Sequence, residues 1–130
     1  MKLNPTCVRD ILLFVESEAT FNNNVIYTYD NIPEQLCKYS HEEIIYHFLQ
    51  CHKSGLIEVG NYADNGEYFR IADLEPKGHE FLTNIRSDTV WKQTLAVGSK
   101  IGSTSLDVLV KISTGVITEL IKQQLQLPPR

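Results

Sequence analysis

Residues 39–59 of the chain read YSHEEIIYHFLQCHKSGLIEV, and residues 67–82 read EYFRIADLEPKGHEFL after a turn of sequence GNYADNG. Ser40 opens a capping box, so an amphipathic helix is expected to begin there and to end at Gly55. Two strand-like segments then flank the turn, and a further helix is expected from Pro76 to about Lys92. This order of elements predicts an α+β fold, a winged helix-turn-helix with an added C-terminal helix.

The residues before this stretch predict a helix, a strand and a short second helix. An Asn-Pro pair opens residues 4–17, where apolar side chains recur at helical spacing. Residues 25–29 are β-branched and aromatic, so they predict a strand. Residues 33–38 are expected to form the short helix that opens the helix-turn-helix. The predicted winged-helix domain therefore covers residues 4–92.

The C-terminal part predicts a linker and one amphipathic helix. Residues 93–103 contain Gly and Ser and are expected to form the linker, and a cap at Thr104-Ser105 is expected to start a helix over residues 104–126. The apolar stripe of that helix consists of Leu106, Leu109, Val110, Val116, Ile117, Leu120 and Ile121. Two alternatives stay open, because a stripe does not identify what covers it. The helix either forms a homodimer or packs within its own chain.

The net charge of −4 is distributed unevenly along the chain. Residues 1–90 hold 7 Lys and Arg against 14 Asp and Glu, whereas residues 91–130 hold 5 against 2. Lys and Arg supply most of the non-specific affinity for DNA because they neutralise phosphates. An acidic body with a mildly basic tail therefore weakens the expectation of DNA binding without removing it.

No apolar run approaches the length of a membrane span, and the first residues lack a signal-peptide core. We therefore expect a cytoplasmic protein without a membrane partner. The three cysteines, Cys7, Cys37 and Cys51, are an odd number at wide spacing, which argues against a disulfide framework. Buried reduced thiols are expected instead.

Several short blocks resemble one family. They are KLNP at residues 2–5, RDILL at 9–13, YH at 46–47, GLI at 55–57, GHEFL at 78–82, IR at 85–86, VWK at 90–92 and SL at 105–106. Together they look like an uncharacterised family of phages, prophages and bacteria that is known only as a domain of unknown function. One departure is Asp-Leu-Glu at residues 73–75, where family members tend to have Asp-Leu-Thr. The resemblance implies a phage-related, cytoplasmic origin and no particular activity.

The exposed face of the helix over residues 40–54 is the candidate DNA-binding site. On a helical wheel, the side expected to face the core carries Ile44, Ile45, Phe48, Leu49 and His52. The candidate DNA contacts are polar or basic side chains on the opposite side, before the helix and on the wing: Lys38, Tyr46, His47, Gln50, Lys53, Tyr62 and Arg70. The alternative is a solvated polar face, with Glu42 and Glu43 repelling phosphate.

Five residues that could bind a metal lie close together in sequence: Cys37, His41, His47, Cys51 and His52. Their spacing matches no zinc motif, so we expect no metal and no cofactor. The chain also lacks a nucleophile elbow and a Gly-rich phosphate loop, so we expect no catalytic residues and no enzyme activity.

Three functions are compatible with this pattern, the third being a structural or adaptor role through the last helix. The leading one is a phage- or prophage-type DNA-binding protein that regulates transcription as a homodimer on double-stranded DNA. The alternative is an acidic winged-helix module that binds a protein partner, such as a host factor, or imitates DNA.

Overall fold

The computed structural model of the chain describes residues 1–102 and 105–126. Within these residues, five α-helices and a three-stranded antiparallel sheet form an α+β fold. The chain divides into two compact units, Met1–Leu82 and Thr83–Arg130.

The first unit holds the sheet. Its elements in order are α1 (Pro5–Glu18), β1 (Val25–Thr28), a 3-10 turn (Glu34–Leu36), α2 (His41–Lys53), β2 (Ile57–Ala63), β3 (Tyr68–Leu74) and the start of α3 (Pro76–Ile85). The strands are ordered β1-β3-β2, and both pairs are antiparallel. The elements expected from the sequence in this unit are therefore present, with the short second helix reduced to one 3-10 turn.

Local signals determine where these helices begin and end. The Asn4 side chain accepts hydrogen bonds from the backbone N–H groups of Thr6 and Cys7 at 3.1 and 3.4 Å, which caps α1. Ser40 caps α2 by accepting from the Glu43 N–H at 3.1 Å. Gly55 follows α2 at φ 76°, a left-handed conformation that costs glycine little. These predicted helix ends are confirmed.

Aromatic side chains join α2 to the sheet in the core of the first unit. Phe48 on α2 meets the Tyr27 ring edge-on, with centroids 5.1 Å apart, and the Phe69 ring at 5.2 Å. Tyr27 and Phe69 lie opposite each other on β1 and β3, and all three side chains are fully buried. Packing against these rings fixes one face of α2 on the sheet, so the opposite face and the β2–β3 hairpin remain open.

The second unit contains α4 (Asp88–Ile101) and α5 (Leu106–Leu125). Ser87 caps α4, Gly102 ends it at φ 77°, and Ser105 caps α5. The predicted linker over residues 93–103 is therefore wrong as far as Ile101, because those residues complete α4. Gly98 is a buried residue inside α4, and a single interior glycine costs a helix about 1 kcal/mol relative to alanine, which does not by itself end the helix. Residue 103 and the predicted cap residue Thr104 lie outside the described residues.

The single helix expected from Pro76 to about Lys92 is wrong in its end, because α3 ends at Ile85 and Ser87 caps a new helix. The predicted boundary after residue 92 consequently falls inside α4, whereas the two units separate after Leu82. No helix in the described part of the chain is both long enough and apolar enough to span a bilayer.

Candidate binding surface

The open face of α2 differs from the face expected from the sequence. Its buried side chains are Ile44, His47, Phe48 and Cys51. Ile44 and Phe48 were expected in the core, but His52 is exposed and Ile45 and Leu49 are only half-buried. At 100° per residue, this amounts to a rotation of roughly a quarter turn about the helix axis. The exposed positions of α2 are consequently Glu42, His52 and Lys53.

His47 lies in the core and not on the exposed face. Its side chain is 0% exposed, and its Nε2 accepts a hydrogen bond from the Asn4 backbone N–H at 2.8 Å. Since an amide N–H can only donate, Nδ1 carries the ring proton and donates to the Glu43 carbonyl at 2.7 Å. A neutral imidazole with both nitrogens bonded can be buried at little cost. His47 therefore connects α1 to α2, and its prediction as an exposed base reader is wrong.

The other predicted contacts on α2 stay accessible. Tyr46 is half-buried, and its hydroxyl donates to the Met1 carbonyl at 3.2 Å. Gln50 is half-buried and Lys53 is exposed. These three side chains lie at steps of three and four residues, so they share one side of the helix.

Lys38 is engaged in a cluster around Asp10. The Lys38 Nζ lies 3.1 Å from the Asp10 carboxylate, which also accepts the Tyr39 hydroxyl at 2.6 Å. Burial, followed by this hydrogen bond to Asp10, raises the pKa of Tyr39 above its usual value. The Lys38 side chain is 63% exposed, but the nearby carboxylate neutralises part of its charge.

The two predicted wing contacts support the β2–β3 hairpin. The Tyr62 ring is stacked on Phe69, with centroids 5.1 Å apart, and remains 55% exposed. The Arg70 Nε donates to the Asn61 Oδ1 at 2.8 Å, across the two strands. The Arg70 guanidinium also lies against Gly60. Both residues therefore stabilise the hairpin while keeping an accessible surface.

A groove of about 360 Å³ runs between α2 and this hairpin. Its lining is mainly apolar: Ile45, Leu49, Tyr62, Ala63, Asn65, Gly66 and Phe69. The Ile45 side chain occupies the space over Gly66, with Cδ1 2.7 Å from the place of an added Cβ. The groove was not expected from the sequence, because the helical pattern placed Ile45 and Leu49 in the core. The available signal was their spacing of four residues beside an aromatic hairpin.

The unit around the groove is strongly acidic. Its 82 residues include 6 Lys and Arg against 13 Asp and Glu, a formal charge of −7. Glu42 precedes Ile45 by one helical turn, and Asp64 and Glu67 flank the hairpin turn with exposed side chains. The groove therefore belongs to a unit with a net negative charge.

The potential metal ligands are dispersed. His41 is stacked on Tyr29 at 4.3 Å, and its Nδ1 lies 2.7 Å from the Tyr27 hydroxyl. Cys7 and Cys51 are buried, as expected, whereas Cys37 is exposed, which contradicts the prediction. Across residues 1–102 and 105–126, no group of three or more His, Cys, Asp or Glu side chains is placed to hold a metal ion.

The seven apolar residues of the α5 stripe are not equally covered. Leu106 and Leu109 are buried, and Ile121 is 52% exposed. The half-buried members are Val110, Val116, Ile117 and Leu120. The C-terminal half of the stripe is therefore only partly covered by its own chain.

Comparison with known proteins gives two matches. A family model described as "Hypothetical protein (DUF2513)" matches residues 2–105. An uncharacterized protein of Haemophilus influenzae is 32% identical over 123 residues, which cover 93% of this chain and 99% of that protein. No solved structure matches the chain.

Proposed function

The chain belongs to the DUF2513 family of hypothetical proteins, as the sequence resemblance predicted, and on that premise we propose that it is a winged-helix protein that binds a protein partner through the α2–hairpin groove. The order of elements supports the winged-helix assignment. A helix, a strand, a short turn of helix, a longer helix and a hairpin follow one another, and the strand order is β1-β3-β2. In this arrangement α2 would be the recognition helix and β2–β3 the wing.

The observation that carries the protein-binding proposal is the groove itself. Two aliphatic side chains of α2, Ile45 and Leu49, stay half-buried beside Tyr62, which is more than half exposed. A partly exposed aromatic ring next to an apolar cleft is typical of the centre of a protein interface. Burying these side chains under a partner would remove apolar surface from water, which favours association.

The charge of the unit indicates the chemistry of the partner. At −7, the unit repels polyanions and attracts positive charge. The partner that fits is a segment with one apolar side chain for the groove and Lys or Arg residues beside it. Its affinity should fall as salt increases, because the charged part of the interaction is screened.

A second candidate, a dimeric DNA-binding regulator, is favoured by one specific observation. Tyr46, Gln50 and Lys53 share an accessible side of the helix that occupies the recognition position. Gln50 would then contact base edges, while Lys53, Lys38 and Arg70 would contact phosphates. The acidic surroundings oppose this function, so we rank it second.

Selection on the immobilised full chain separates the two functions. A random peptide library and a random duplex DNA pool are each applied to the wild type, to Leu49→Glu and to Gln50→Ala. The protein-binding proposal predicts peptides with an apolar residue among basic ones, retained by the wild type and Gln50→Ala and lost from Leu49→Glu.

The same experiment can contradict the proposal. An enriched DNA motif that depends on Gln50, without enriched peptides, would establish the DNA-binding function instead. Peptides that bind Leu49→Glu as well as the wild type would show that the groove is not the binding site. Circular dichroism of each variant serves as the folding control.

A further inference from the structure

The α4–α5 hairpin carries a second apolar groove, distinct from the one proposed to bind a partner. We propose that a second copy of this chain occupies it, with the two α5 helices crossing antiparallel and a two-fold axis beside Gly115. This inference is independent of the partner-binding function of the first unit.

The groove lies between α4 and α5 and has a volume of about 400 Å³. Its floor is apolar and its rim polar: Gln93, Val97, Ile112, Gly115, Val116, Glu119, Leu120 and Gln123. Val97 is 37% exposed, and one turn further along α4 Ile101 is 60% exposed. Apolar side chains therefore extend beyond the groove along the same helix.

Two helices are too few to enclose a core by themselves. The side chains of α5 that are fully buried are Leu106, Leu109 and Ser113, and among the described residues after Ser113 none is fully buried. α5 has 20 residues and α4 has 14, so α5 is longer by roughly 9 Å at 1.5 Å per residue. Two such hairpins packed face to face would form a four-helix bundle, which encloses the apolar side chains of both.

Gly115 marks where a second helix can approach. It lies in the middle of α5 without a left-handed φ, so its backbone conformation does not require glycine. An interior glycine costs a helix about 1 kcal/mol relative to alanine. No atom lies within 4 Å of an added Cβ, so packing within the chain does not require glycine either. Close approach of another helix backbone would explain why glycine occupies this position.

The charged residues of α5 are placed so that two antiparallel copies of the helix would bring opposite charges together on either side of Gly115. Lys111 and Glu119 lie four residues before and four residues after Gly115, and both are exposed. An antiparallel crossing centred on Gly115 places Lys111 opposite the partner's Glu119, and the symmetry repeats the pair. A parallel crossing would place like charges together. A closed two-fold dimer is therefore favoured over other arrangements, and the balanced rim favours a second copy over a strongly charged partner.

The test is the oligomeric state of the full chain, measured by sedimentation velocity over a wide range of concentrations. The wild type should be a dimer. Lys111→Glu and Glu119→Lys should each raise the dimer dissociation constant roughly ten-fold, since each replaces two attractive pairs by two repulsive ones. The double variant Lys111→Glu/Glu119→Lys should restore the dimer to near wild-type affinity.

Gly115→Gln provides a second variant that separates folding from association. It should abolish the dimer. Its melting temperature should equal or exceed that of the wild type when both are monomeric, because glutamine is the better helix former. A monomeric wild type at every concentration, or a dimer unaffected by these substitutions, would overturn the inference. Peptide selection on monomeric Gly115→Gln tests the first groove separately, so the two proposals can fail independently.

Discussion

Gly78 offers the sharpest test of the packing in the first unit. It lies in the first turn of α3, and an added Cβ would overlap the backbone carbonyl of Leu56. That carbonyl is held in place, since it accepts the Glu75 N–H at 2.8 Å and the Leu56 residue is fully buried. Gly78→Ala should therefore force α3 away from the end of α2.

The expected change in the free energy of unfolding is the sum of three contributions. Overpacking costs about 1–3 kcal/mol, and weakening the Glu75–Leu56 hydrogen bond adds about 1 kcal/mol. The higher helix propensity of alanine offsets no more than about 1 kcal/mol. The free energy of unfolding should fall by about 2 kcal/mol, which lowers the melting temperature of a chain of this size by roughly 6–10 °C.

Thermal and urea unfolding of the full chain, followed by circular dichroism, measures this change. Glu80→Ala is the matched control, because it introduces the same residue at an exposed position two residues away in the same helix. The control should stay within about 0.5 kcal/mol of the wild type. If Gly78→Ala is as stable as Glu80→Ala, α3 does not approach Leu56 as closely as described and the reasoning is refuted.

Three further predictions concern the core and the thiols. His47→Ala should lower the free energy of unfolding by about 2–3 kcal/mol in urea titrations, because it leaves the Asn4 N–H without its acceptor and opens a cavity; an unchanged midpoint would contradict this. In the native chain a thiol reagent should label Cys37 rapidly, whereas Cys7 and Cys51 should react only after denaturation. The absorbance change of the reagent over time measures the number of thiols that have reacted. Burial raises the pKa of Cys7 from 9.0 to about 12. The protonated Cys7 thiol should therefore contribute fully to stability below pH 9, and this contribution should decline as the pH rises toward 12. The denaturant midpoint of unfolding should fall less over this pH range in Cys7→Ala than in the wild type, and an equal fall in both would refute the prediction.

The helix and strand positions of the first unit could be predicted because they depend on nearby residues. The caps at Asn4 and Ser40 are hydrogen bonds across two or three residues, and the stop at Gly55 is a property of one residue's backbone. Such signals are fully contained in the sequence. The β-branched and aromatic residues around Tyr27 indicated their strand for the same reason.

The buried face of α2 could not be predicted this way. His47 and His52 are chemically equal candidates for burial, and the difference between them is an amide 43 positions away at Asn4. The prediction of a linker over residues 93–103 was wrong for a related reason. Gly98 disfavours a helix by local propensity, but it lies buried inside α4, so the tertiary structure outweighs that propensity.

Sequence alone thus determined the capped starts of α1, α2 and α5, the hairpin, the acidic charge of the first unit and the family of this protein. The tertiary structure decided which side of α2 remains open, and so revealed an apolar groove where a polar reading face had been expected. Capping and charge are summed over neighbouring residues, so they can be read along the chain. Which side chains are buried depends on close packing among residues that are distant in sequence, so burial is defined only in the folded chain.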